Sequence, residues 1–279
     1  IGRSSEPTGY GMVGKRLRAI QPVLGEKLTS KLDGKKIFVM GVASIRSIAW
    51  GCAQAMAKQG VEVIYTYQNE RLKKFISKLV TYEDRLIECD VSSDDSLEAA
   101  FGEVAKRFGK IDGIVHVIAF AKKEELGGSI LNSTRDGFSQ ALDVSAYSLL
   151  AVAKEGVKIL NNPSSIVTLT YMGSDRALPN YNTMGIAKAA LESAMRYLAR
   201  DLGEKGIRVN AISAGAMRTL AVSGIKGHAD LLKISQSETV DGVNVTREEV
   251  GNTCAFLMSD LATGLTGDVI FVDKGVHLK

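Results

Sequence analysis

Cysteine is scarce in this sequence. Cys52, Cys89 and Cys254 are odd in number and widely scattered, which excludes a disulfide framework and a cysteine zinc site and fits reduced thiols. No run of about 18 or more apolar residues is present, so nothing reads as a membrane span, and no signal-like apolar stretch opens the chain. The expectation is a soluble, cytoplasmic protein with no membrane partner. An excess of one charge is also missing from most of the chain. The formal net charge is +4, but Arg3, Lys15, Arg16, Arg18, Lys27 and Lys31 against Glu6 and Glu26 account for all of it, six minus two. The remainder balances to zero, which leaves the body of the protein without the basic face that a nucleic-acid partner requires. Internal repeats and low-complexity tracts are absent as well.

Apolar material, by contrast, is sufficient for one large domain. Of the 279 residues 45% are hydrophobic and 24% charged, and α/β units of roughly 200 to 250 residues fold as single domains. Residues 1–32 run without apolar periodicity and are expected to be an extension, a tag or arm, with Met12 as a native start behind a short leader; a subunit-contact arm is the alternative for 12–32. From 33 to 279, short β-branched runs alternate with helical patterns. Strands are predicted at 36–40, 61–66, 86–91, 111–118, 165–170, 208–212 and 269–272, with helices between them, including one long helical segment over 134–160. This alternation implies a Rossmann-like, doubly wound parallel sheet of about seven strands with helices on both faces.

Chemistry concentrates where the strand at 165–170 runs into a helix. Tyr171 is predicted at the strand's C-terminal end. Pro179, with Asn180 as a potential cap, opens an Ala-rich helix to about residue 203 with Tyr181 in its first turn. Tyr181 and Lys188 are seven residues apart, which at about 3.6 residues per turn sets them on one face, and helical side chains lean toward the N-terminus. An ammonium so placed favours phenolate and lowers the tyrosine pKa from about 10.

Upstream, the first strand passes through Gly41 to Gly51 directly into a helix. Strand, small-residue turn and helix N-terminus suit a phosphate, although the spacing is not G-x-G-x-x-G and an ordinary tight turn has the same pattern. The second strand ends at Gln68-Asn69, where a dinucleotide fold reads the adenosine ribose; Gln68 can bond ribose or adenine but has no charge to hold a 2′-phosphate. Asp90, ending the third strand, suits either an adenine amino group or the cap of a helix near Asp94. After the fourth strand, Ala119-Phe120-Ala121 lets backbone approach a flat ring, while His116 within that strand reads as a core histidine. The segment 214–245 reads as a lid or binding loop, or as a surface helix of no function. Lys226 and Lys233, in or beside it, offer an acidic partner a weak, salt-screened contact.

Four blocks together carry a resemblance: Gly41 to Gly51 with its Ser-Ile-Ala turn, Thr66-Tyr67-Gln68-Asn69, Tyr171 to Lys188 with Tyr-x6-Lys in place of the common Tyr-x3-Lys, and Arg208 to Ala221 ending Arg-Thr-Leu-Ala. From about 31 to 279 the chain resembles the enoyl-acyl-carrier-protein reductases of bacterial type II fatty acid synthesis, a divergent branch of the short-chain dehydrogenase/reductases. Met184, four before Lys188, stands where an ordinary carbonyl-reducing relative holds its tyrosine, which argues against alcohol or ketone chemistry. The resemblance implies NADH as cofactor, held by Gly41, Ser47, Ile48, Gln68, Asp90, Val91, Ile118, Lys188 and the segment Met217, Arg218, Thr219, Leu220 and Ala221. It implies Tyr171, Tyr181 and Lys188 as the catalytic group, and Ala121, Tyr171, Tyr181 and Met184 as substrate contacts. A trans-2-enoyl chain on an acyl-carrier protein is the implied substrate, a homotetramer the implied assembly, and no metal takes part. Two departures stand out: Ala216-Met217 replaces the more usual Pro-Ile at the lid's hinge, and Lys274 replaces a glycine after the last strand. A short-chain carbonyl reductase and a catalytically silent nucleotide-binding regulator are the alternatives.

Overall fold

Strand β1 (Lys36–Met40) alternates its side chains between two apolar layers, Ile37 and Val39 toward one and Phe38 and Met40 toward the other, the pattern of a strand covered on both faces. The computed structural model describes residues 32–219 and 228–279. Within them β1 joins β2 (Glu62–Tyr67), β3 (Leu86–Glu88), β4 (Ile111–His116), β5 (Leu160–Thr170), β6 (Ile207–Ala214) and β7 (Val269–Val272) in one seven-stranded sheet of order β3-β2-β1-β4-β5-β6-β7. Every pairing is parallel. The order reverses between β1 and β4, the switch point outside whose strand ends a doubly wound sheet holds ligands.

The α-helices among the described residues are α1 (Ile48–Ala57), α2 (Glu70–Ile76), α3 (Asp94–Phe108), α4 (Arg135–Leu142), α5 (Ser148–Gly156), α6 (Asn182–Leu202), α7 (His228–Glu238) and α8 (Arg247–Met258). One core joins α1 and α8 to the sheet through Ala49, Cys52, Val250 and Cys254; the other packs Phe101, Leu149, Leu191 and Met195 against the opposite face. Helices α1 and α8 touch backbone to backbone, since a Cβ on Gly251 would lie 2.4 Å from the Gly51 carbonyl oxygen. Cys52 and Cys254, far apart in sequence, meet at this seam, and all three cysteines are buried and free. No helix among the described residues is long and apolar enough to cross a membrane.

Local chemistry moves several predicted boundaries. The helical segment expected over 134–160 is broken by a π-helical turn at Asp143–Tyr147, and β5 already begins at Leu160. In that turn the Ser145 hydroxyl donates to the Phe120 carbonyl and accepts from the Phe120 N–H, which ties the turn to the chain leaving β4. Helix α6 starts at Asn182 with Tyr181 in the N-cap position and no side-chain cap. Asn180 does not cap because it adopts φ 60°, a left-handed conformation that asparagine tolerates and that turns the chain before the helix opens. The third strand stops at Glu88, and Ser93 rather than Asp90 caps α3. The segment 214–245 contains α7 and is not irregular throughout. The expected extension, apart from Leu32, lies outside the described residues.

Candidate active site

The C-terminal ends of β1, β4, β5 and β6 open on one cavity of about 430 Å³. Its floor on the β1 side needs a residue without a side chain. Gly41 has φ 94°, and a Cβ there would fall 1.9 Å from the Val117 carbonyl oxygen. The chain then enters α1, whose cap Ser47 accepts from the Trp50 N–H and donates to the Ser44 carbonyl. The first turn of α1 carries no acid, whereas α3, α4 and α8 carry one or two. Its remaining N–H groups and the positive end of its dipole are therefore left for an anion.

Opposite stand the two phenols. The rings of Tyr171 and Tyr181 meet edge to face, 5.2 Å between centroids and 71° between planes. Their seat is made of glycine: a Cβ on Gly173 would lie 2.4 Å from the Tyr181 ring, and one on Gly185 would lie 2.6 Å from the Gly173 carbonyl. Met184 is buried and lines the same cavity. One turn further along α6, buried Lys188 donates from Nζ to the Leu169 carbonyl at 2.7 Å. Burial lowers its pKa to about 8, with Glu192 opposing; Glu192 itself accepts from the Thr170 hydroxyl at 2.6 Å.

The expected depression of the Tyr181 pKa is not found. Burial raises it well above the ordinary tyrosine value, and Tyr171 adds to the rise. Burial is the larger cause, and Lys188 bonds the Leu169 carbonyl at the end of β5. Tyr171 is raised as well, by burial first and then by Glu238 and Asp273. Both phenols are thus protonated donors at neutral pH, suited to an oxygen on which negative charge develops.

His116 is the core residue expected. It is fully buried, with Nδ1 3.0 Å from Thr168 Oγ1 and Nε2 2.9 Å from Ser148 Oγ. The Ser148 hydroxyl donates to the Val144 carbonyl and the Thr168 hydroxyl to the His116 carbonyl. Burial and the neighbouring Lys188 lower the His116 pKa to about 3.

Of the residues singled out by sequence, Gly41, Ser47, Ile48, Ile118, Ala121, Tyr171, Tyr181, Met184, Lys188, Met217 and Thr219 gather around this cavity. Gln68 and Asp90 lie apart from it at the ends of β2 and β3, joined by a 3.2 Å bond from Gln68 Nε2 to an Asp90 carboxylate oxygen, with Val91 following. Arg218 is exposed and lines a second cavity beside the first, together with Lys233. Leu220, Ala221 and Lys226 lie outside the described residues. Sequence reasoning missed Leu126 and Leu178, which line the cavity beside the phenols. A leucine directly before Pro179 was the one available signal, and it pointed equally to packing.

The residues fit a dinucleotide. A side-chain-free strand end, an acid-free helix N-terminus and a buried lysine share one cavity at the switch point of the sheet. Comparison with known proteins agrees. The family profile described as Enoyl-(Acyl carrier protein) reductase matches residues 41–277. The enoyl-[acyl-carrier-protein] reductase [NADH] FabI of Enterococcus faecalis is 60% identical over 247 residues, covering 88% of this chain and 99% of that protein. Two solved structures are similar throughout. The Bacillus cereus enoyl-acyl carrier protein reductase, with NADP+ and an indole naphthyridinone, has a TM-score of 0.86 at 45% identity and covers 89% of this chain and 98% of its own. The Anaplasma phagocytophilum enzyme, in complex with NAD, has a TM-score of 0.85 at 40% identity, with 89% and 95% covered. With the match spanning the turn after β1, both phenols, the lysine and the last strand, the chain belongs to the enoyl-(acyl carrier protein) reductase family.

Proposed function

We propose that this protein reduces the 2,3-double bond of trans-2-enoyl thioesters borne on an acyl-carrier protein, using NADH. The observation that carries the reading is the site around α6. A protonated Tyr181 meets Tyr171 edge to face in one cavity with Lys188 and buried Met184, and by the family resemblance Met184 stands where carbonyl-reducing relatives hold their tyrosine. NADH, when bound, supplies the hydride that adds to the β-carbon. Tyr181 donates a hydrogen bond to the thioester oxygen, where charge collects as an enolate. Lys188, anchored to the end of β5, directs its remaining N–H groups at the cofactor ribose. Tyr171 holds the Tyr181 ring edge to face and closes the pocket around the reacting carbons. Protonation at the α-carbon then gives the saturated acyl thioester. Gln68 and Asp90, joined across the ends of β2 and β3, take the adenosine end.

Gln68-Asn69 offers no cation beyond β2, and the Asn69 side chain is engaged in capping α2. The expected result is a higher kcat/KM with NADH than with NADPH, read from cofactor absorbance with crotonyl and longer enoyl thioesters. Equal or better kcat/KM with NADPH would overturn it. That comparison matters because the Bacillus cereus relative was solved with NADP+.

The pH dependence follows from Lys188. Its pKa in the folded protein is lowered to about 8, so the ammonium is present below that pH and lost as pH rises through it. Since kcat/KM reports the free enzyme's groups, kcat/KM for NADH should fall above about pH 8, and raised Tyr181 should add no limb of its own. A profile flat to pH 10 would contradict this.

An acyl-carrier protein is the macromolecular partner in this reading and the cytoplasm the compartment. A homotetramer is supported by exposed apolar side chains in two regions: Tyr147 of the π turn with Leu150, Ile186 and Tyr197 on α5 and α6, and Phe271, Phe256 and Leu261 on β7, α8 and the turn after it, each 38% exposed or more. Two independent faces are what a closed tetramer of twofold contacts needs. Sedimentation equilibrium is expected to give four times the chain mass, and a monomer would remove the proposal.

A further inference from the structure

One turn beyond Lys188, helix α6 carries an acid, Glu192. Residues four apart lie on one face of a helix, about 5–6 Å between Cβ atoms. Both side chains are bound by adjacent residues at the C-terminal end of β5. Lys188 Nζ donates to the Leu169 carbonyl at 2.7 Å, and the Thr170 hydroxyl donates to Glu192 Oε1 at 2.6 Å. Thr170 and Lys188 line the cavity and Glu192 does not, so the carboxylate stands behind the lysine and leaves the path of a ligand open.

Lys188 is buried, and a buried ammonium calls for a compensating negative charge. The elements packed around it offer few candidates. His116 of β4 is neutral, since burial and Lys188 itself lower its pKa to about 3. Tyr171 and Tyr181 are raised by burial and stay protonated. Asp136 of α4, Asp143 of the π turn and Asp175 after Tyr171 are exposed, while Glu155 of α5 pairs with Lys158. Arg208 of β6 is bonded to the Leu257 and Ser259 carbonyls. Arg196, Arg200 and Asp201 of α6, and Glu204 and Lys205 beyond its end, are exposed. Among the described residues, Glu192 is the acid that opposes the effect of burial on the lysine.

We infer that Glu192 is a positioning residue for the cofactor: fixed by Thr170, it keeps Lys188 charged and aimed at the cofactor ribose. The inference rests on the cofactor role proposed for Lys188. The ammonium is present below about pH 8 and lost as pH rises through that value. Without the neighbouring carboxylate it is lost at a lower pH.

The test compares Glu192→Gln with the wild type. Glutamine keeps the size and an oxygen that accepts from Thr170, and removes only the charge. NADH dissociation constants are read by fluorescence from about pH 6.5 to about pH 9. Affinity is expected to fall at a lower pH in the variant, so that binding is weaker by about threefold or more near pH 8 and within about twofold of the wild type near pH 6.5, where both hold the ammonium. Glu192→Asp, which keeps the charge, should return the fall toward the wild-type pH, and circular dichroism over the same range checks that folded proteins are compared. A purely structural role would weaken binding by one factor at every pH. That result, an unchanged profile in Glu192→Gln, or equal displacement in Glu192→Asp and Glu192→Gln would overturn the inference. A wild type that fails to bind NADH, or binds it with no alkaline loss, would instead remove the cofactor role of Lys188, and the inference with it.

Discussion

Lys188→Ala is expected to cost the protein most of its hold on NADH. The lysine is buried at the cavity wall, fixed by its bond to the Leu169 carbonyl, and among the described residues its other donors have no hydrogen-bond partner. Hydrogen bonds from a charged group are worth about 1.5–3 kcal/mol, so affinity should fall roughly tenfold to a hundredfold. Because the cofactor must be seated before any chemistry, kcat/KM should fall at least as far. Fluorescence titration of NADH against wild type and variant reads the first effect and steady-state rates the second. Unchanged NADH affinity with a collapsed kcat would assign the lysine to the chemical step instead.

Tyr181→Phe should do the reverse. The phenol is protonated, held by the edge contact with Tyr171 and seated on Gly173, so removal of the hydroxyl leaves the ring and the cavity in place. What disappears is one donor to the developing enolate, which by analogy with an oxyanion-hole donor costs up to about 10²-fold in kcat. NADH affinity should stay near the wild-type value. A variant that fails to bind NADH but turns over normally at saturation would show the two roles to be exchanged.

The sheet was legible because its cause is local. Seven β-branched runs separated by helical patterns leave little alternative to a parallel doubly wound sheet, and β1 and β7 begin and end where expected. The helix boundaries were less legible where non-local bonds set them. The π turn at Asp143–Tyr147 joins to Phe120, and Asn182 donates to the Gly128 carbonyl; neither partner is near in sequence. The site was legible as a set of residues but not in its electrostatics. Helical spacing correctly put Tyr181 and Lys188 at one cavity. It gave no means of weighing desolvation of the phenol against the ammonium, and the Leu169 carbonyl that holds Lys188 is delivered by a different element. Glu192 was overlooked for the same reason, because it meets Thr170 only after α6 has packed on β5.

The central claim is that hydride arrives at the β-carbon of an enoyl thioester while Tyr181 steadies the oxygen. The most direct measurement is isotopic. Crotonyl thioester is reduced with NADH carrying deuterium in the transferred C4 position, and the butyryl product is analysed by NMR. The expected result is deuterium at C3 and a solvent-derived proton at C2. Deuterium at C2, or its appearance only at the carbinol carbon of a ketone substrate with no reduction of the enoyl thioester, would contradict the account.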